Sequence, residues 1–193
     1  MEINEPVLWF LARASGLVSL FALTLSVVLG IAAGARSAAV PRFVTQGIHR
    51  AAALTGVLLL VVHVTTVVVD PFVPLEWTDV WWPFDADYRR LWTGFGTLAV
   101  DVLLVVVASS LLRHRLSPRS WWLLHLSAYA AYGLSVAHGL GAGTDRGEPL
   151  VVATTFGSVG AVVAALTLRM WRARGREHTK YDAGLGAWKR GPA

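Results

Sequence analysis

Five stretches of the chain run apolar with at most one formal charge each: Val7 to Gly34, Phe43 to Val69, Leu91 to Leu112, Trp121 to Leu140 and Leu150 to Trp171. A helix rises 1.5 Å per residue, so crossing the ~30 Å hydrocarbon layer takes about 20 residues, which each stretch supplies. Barrel strands would be about 10 residues long and would alternate polar and apolar side chains; these runs do neither. A lipid-facing backbone of this length satisfies its own hydrogen bonds only as helix. The pattern therefore predicts an all-α membrane protein, a bundle of five transmembrane helices over residues 1–171, followed by a polar, basic tail over 172–193 that is expected to be mobile. The segment Met1 to Pro6 carries Glu2 and Glu5 and no base, unlike the basic start of a cleaved signal peptide, so the first run reads as a retained helix. Composition agrees: 55% of the 193 residues are hydrophobic and 15% charged, where a soluble domain has roughly 25% charged residues.

Arginine and lysine set the expected orientation, because they concentrate on the cytoplasmic side. The connection between the first two runs, the connection between the third and fourth, and the tail together hold 13 bases and two acids; the opposite side holds three bases and nine acids, mostly between Asp70 and Asp87. The N-terminus is expected outside and the tail in the cytoplasm, in a multi-pass protein of the plasma membrane. The formal charge of +5 is then an orientation signal and a means of meeting anionic membrane lipid, and no nucleic-acid partner is expected. Trp9, Trp92, Trp121, Trp122 and Trp171 fall at predicted span ends, where amphipathic rings favour the interface. The segment Asp70 to Arg90, with Trp77, Trp81 and Trp82 among prolines and acids, predicts a short outer cap.

The chain has no cysteine, which excludes disulfides, Fe–S clusters, thiolate-ligated haem, covalently attached c-type haem and cysteine zinc sites. Ionisable groups inside spans are functional candidates by default, and four of the six here are histidines in two pairs. His49 and His63 are 14 apart on the second span; His125 and His138 are 13 apart on the fourth, which runs in the same direction. The pairs therefore fall in two layers about 20 Å apart. Each layer offers two imidazoles, too few for zinc. A b-type haem needs only two axial ligands, and imidazole is a usual one. Two stacked bis-histidine haems b account for the count and the spacing, with one haem as the smaller alternative. The phase of the fourth span is awkward, since 13 steps of 100° leave His138 about 140° from His125. A bulge is expected at Gly133 and Ser135.

The segments GIHRAAALTGVLLLVVHV and WWLLHLSAYAAYGLSVAHGLGAGTD, with the opening WFLARASGLVSLFALTLSVVLGI, resemble the ferric reductase-like transmembrane family. That family includes ferric reductases, NADPH oxidases and the haem subunit of periplasmic methionine sulfoxide reductase. The resemblance spans roughly Trp9 to Met170 and implies haem b held by His49 with His125 on the inner side and by His63 with His138 on the outer side. It departs from the family in showing five spans where six are common, and its tail is too short for an FAD- and NAD(P)H-binding domain. The electron donor is accordingly expected to be a separate flavoprotein or a quinol, and the acceptor to lie outside. Two rival readings stand beside transmembrane electron transfer: a haem-bearing anchor that reduces a dedicated extracytoplasmic partner protein, and a haem-free transporter or structural protein.

Arg13, near the depth of the outer pair, and Arg50, beside His49, are candidates for binding haem propionates. Asp101 in the third span needs a proton or a partner, Arg13 being one. Tyr129 and Tyr132 lie in depth between the layers; His114 and His178 sit in basic cytoplasmic segments, His114 being an alternative inner ligand.

Overall fold

In the computed structural model, residues 5–34, 41–143 and 147–189 are described, with side chains over 7–34, 41–143 and 147–175. Arg36 and Arg146 of the charge pattern, and the side chain of His178, lie outside these. Six α-helices follow one another: α1 (Glu5–Gly34), α2 (Arg42–Val69), α3 (Arg90–Leu111), α4 (Pro118–Leu126), α5 (Ala128–Ala142) and α6 (Pro149–Lys189). Short 3-10 turns at Trp77–Val80 and Arg113–Arg115 flank α3, and there is no strand among the described residues. Four helical segments are long and apolar enough to cross a membrane, Val7–Gly34, Arg42–Val69, Arg90–Leu111 and Pro149–Gly175. The fold is thus all-helical and multi-pass.

The fourth predicted span is not one helix but two, α4 and α5, broken at Ser127. The break is not at Gly133 and Ser135, as the phase argument expected; both lie within α5. Ser127 donates its backbone N–H to Leu124 O at 3.2 Å, and its hydroxyl bonds the same carbonyl at 2.6 Å. A serine side chain competing for the backbone in this way tightens the turn and interrupts the ladder. Ser135 only back-bonds to Ala131 at 2.9 Å, which a continuous helix accommodates. At the far end, α6 continues past Trp171 to Lys189, so residues 172–189 of the polar tail are helical.

α1 is the hub. It packs along α2, along α6 and locally on α5, while α3 packs along α5 and on α4. The antiparallel α1–α2 pair keeps one register over its length: Ser19 donates to Gly56 O at 2.9 Å midway along it, and the contacts of His49 and His63 described below fall on the same register. Gly56 lets α1 approach, since a Cβ there would meet Leu23 at 2.7 Å. α2 has no comparable packing with α4 or α5, and histidine side chains meet across the space between them.

The segment between α2 and α3 folds as a cap on one end of the bundle. Thr97 donates to Asp79 O at 2.8 Å, tying the 3-10 turn to α3. Arg89, in the left-handed region at φ 42°, sends its guanidinium to the carbonyls of Gly141, Ala142 and Gly143 at 2.8, 3.4 and 3.2 Å. These are the carbonyls that the end of α5 leaves open, and a cation there also suits the helix dipole.

Candidate functional site

The two histidine pairs meet. The ring centroids of His49 and His125 are 6.1 Å apart, and those of His63 and His138 are 6.3 Å apart, with planes at 67° and 78°. All four rings are half-buried. The break at Ser127 puts His125 on α4 and His138 on α5, so each half sets its own rotational phase and both rings reach α2. On α2 the pairs are about 21 Å apart along the axis.

Three of the four rings are fixed in the same way. His63 Nδ1 donates to Ala12 O at 2.7 Å, His49 Nδ1 to Ser26 O at 2.8 Å, and His138 Nδ1 to Trp92 O at 2.9 Å. A proton on Nδ1 leaves Nε2 as the lone-pair nitrogen, which is how a metal-binding histidine is held in its tautomer. Each accepting carbonyl also has a glycine four residues later, Gly16, Gly30 and Gly96 respectively. In a helix the Cβ at i+4 leans back over the carbonyl at i, so a glycine there opens that carbonyl to an incoming ring. A Cβ on Gly96 would stand 2.6 Å from His138 Nδ1, one on Gly16 2.9 Å from His63 Nδ1, and one on Gly30 3.5 Å from His49 Cε1.

His125 lacks this arrangement. Positions 109 and 110, thirteen and fourteen residues beyond Gly96, are serines whose hydroxyls bond Val106 O at 2.9 and 2.7 Å. Its Nδ1 is buried without a partner, and the ring instead stacks on Trp121 at 4.9 Å and 18°. Trp121, expected in the interfacial belt, therefore turns inward, while its neighbour Trp122 is exposed.

The ring spacing tests what the pairs can hold. Two rings that both turned Nε2 to one metal, at metal–nitrogen distances of about 2.0–2.1 Å, would have their centres about 6 Å apart. A direct hydrogen bond between the rings would bring them to about 5.2 Å. Both pairs match the first distance. No group of three or more His, Asp or Glu suited to a metal exists among the described residues, so each layer offers two ligands and no more. The residues present fit a metal that brings its remaining ligands with it, as an iron porphyrin does.

The other candidates are placed as follows. Arg13 stacks on Trp9 at 4.3 Å, next in sequence to the Ala12 carbonyl that holds His63. Arg50 is exposed. Asp101 is half-buried and makes no hydrogen bond or ion pair, with Arg13 or otherwise, among the described residues. Tyr132 accepts from Thr24 at 3.3 Å, joining α5 to α1 between the two layers. His114 lies exposed in the 3-10 turn and joins neither pair.

The glycine–carbonyl pairs were not anticipated from sequence. The signal was there: Ala12 and Ser26 are 14 apart, as are Gly16 and Gly30, matching the 14 between His49 and His63.

Among known protein families, the one described as ferric reductase like transmembrane component matches residues 12–136, a stretch that contains three of the four paired histidines and ends just before His138. No curated protein and no solved structure matches the chain.

Proposed function

Because the chain belongs to the ferric reductase-like transmembrane family, we propose that it is a membrane electron-transfer protein holding two b-type haems, one between His49 and His125 and one between His63 and His138. The observation that carries this is the pair of centroid distances, 6.1 and 6.3 Å, on rings whose Nδ1 protons are in three cases bound to carbonyls. When bound, such haems supply one-electron carriers whose potential the axial ligands tune. The protein's part is to present Nε2 at fixed spacing, to hold the rings in one tautomer, and to surround the pairs with hydrocarbon. Arg13 binds a carboxylate of the His63–His138 haem in this reading, and Arg50 is the corresponding candidate at the other.

In the same reading α4 and α5 cross the plasma membrane together as one broken span, making five, with the N-terminus outside and the C-terminus in the cytoplasm. Electrons pass from a separate cytoplasmic flavoprotein or a quinol to an acceptor outside. That direction is downhill in an inside-negative membrane by about 2.3 kcal/mol per 100 mV for a full crossing.

The direct test is a visible spectrum of the purified chain, oxidised and then reduced with dithionite. Sharp reduced bands of six-coordinate low-spin haem, at two haems per chain, are expected; a colourless protein after expression with ample haem would remove the proposal. The orientation has its own check. In this cysteine-free background, an impermeant thiol reagent on intact cells should label the Thr78→Cys variant and spare Arg115→Cys, both positions being exposed. The opposite labelling would invert the topology.

A further inference from the structure

Among the described residues, two buried side-chain nitrogens have no hydrogen-bond partner, and they belong to stacked rings: Trp121 Nε1 and His125 Nδ1. An indole N–H can only donate, and buried donors are rarely left without an acceptor. On Trp121 also lies the Arg113 guanidinium, 4.3 Å from the ring centre. The segment around it holds Arg113, Arg115 and Arg119 and no acid, and no carboxylate among the described residues pairs with Arg113. A buried donor and a cation thus lie on one indole, where no described residue supplies an acceptor to the donor or a carboxylate to the cation.

We propose that Trp121 Nε1 and the Arg113 guanidinium bind a carboxylate of the haem held by His49 and His125. This rests on the haem reading above. Protoporphyrin carries two carboxylates, which are anionic acceptors and cannot be left in hydrocarbon. Trp121 lies within 18° of parallel to His125 and one helical turn nearer the 113–115 turn, so a haem held by His125 would have the indole N–H beside it to receive a carboxylate. The same contact explains how His125 is oriented without the carbonyl bond that fixes the other three rings: the indole stack takes its place. Arg50, the residue the sequence offered for this role, is exposed, as Arg113 is, but Arg113 lies on the indole whose N–H has no partner.

The test compares haem with its dimethyl ester, in which both carboxylates are blocked. The purified full chain is loaded with either compound in neutral-lipid nanodiscs, and retention is followed against a haem-scavenging globin. The parent should retain haem at the His49–His125 site about tenfold longer than the ester, the worth of one charge-assisted hydrogen bond. Trp121→Phe keeps the stack and removes the donor; Arg113→Gln removes the cation. Both should erase most of that preference while the low-spin spectrum persists, and neither should change retention at the His63–His138 site, the internal control. Full preference in both variants, or no preference in the parent, overturns the assignment. A preference that is present in neutral lipid and lost in anionic lipid shows that a lipid phosphate competes for the same donor, which overturns the haem carboxylate as its occupant. A parent that takes up no haem at all shows no Soret band, and that outcome fails the underlying reading first.

Discussion

Alanine at His63 or at His138 is expected to cut the haem content from two per chain to one, with the remaining haem unchanged in its spectrum. The two rings stand 6.3 Å apart, and in the proposed reading they share one haem, so losing either would leave it a single histidine ligand. The double variant His63→Ala with His138→Ala should then add little to either single change, because residues acting on one centre are not additive. His49→Ala and His125→Ala should behave as a second unit, and one change from each pair should sum. The layers are about 21 Å apart along α2, beyond the roughly 7–10 Å over which substitutions couple. A parent that binds one haem, lost with His63→Ala and unaffected by His49→Ala, would leave a single site. The His49–His125 contact would then be only packing within the bundle. Electron delivery separates the layers further: without the His63–His138 haem, the other should still be reduced by the cytoplasmic donor and fail to pass its electron outward.

Much of this site could be read from four residue numbers, because helix geometry converts sequence spacing directly into depth. Fourteen steps on α2 return to nearly the same face, and the layering follows from that. The 13-step spacing between His125 and His138 likewise implied a break, but not its place. Gly133 looked the weak point, yet nothing lies within 4 Å of where its Cβ would be, and a glycine with neither crowding nor a rival hydrogen bond stays helical. Ser127 supplies the rival bond, through a hydroxyl whose direction no periodicity encodes. Trp121 misled for a related reason. Two adjacent tryptophans at a span end fit the interfacial belt, but residues four apart share a helical face, and Trp121 is four before His125. That spacing was a sign that one of the two rings turns in. The end of α6 lies past the last apolar run because apolar periodicity reports only the membrane; arginine, alanine and lysine sustain a helix without it. The accepting carbonyls were invisible, since every residue has one. Only the glycines that uncover them carry a trace in the sequence.

Those glycines yield the most discriminating prediction, because their three expected effects are graded by distance. Gly96→Ala should loosen or expel the His63–His138 haem, since the new methyl would lie 2.6 Å from His138 Nδ1, 2.8 Å from Cε1 and 3.0 Å from Cγ, leaving the ring no room on its carbonyl. Gly16→Ala brings a methyl to 2.9 Å from His63 Nδ1 and should weaken the same haem to a lesser degree. Gly30→Ala meets His49 at 3.5 Å, an ordinary contact, and should be tolerated. Removing a partner that orients a metal-bound histidine costs about 10–100-fold in metal affinity, so Gly96→Ala should fall in that range and Gly30→Ala near the parent. Loss through a weaker helix is not a competing explanation, because alanine is favoured over glycine in a helix interior by about 1 kcal/mol, which acts in the opposite direction. Haem titration of the three variants, with the low-spin band as the sign of two axial ligands, gives the ranking. Equal loss in Gly30→Ala and Gly96→Ala would mean that the glycines serve helix packing in general. A Gly96→Ala protein that keeps both haems low-spin and tight would mean that the Trp92 carbonyl is not what holds His138 in place.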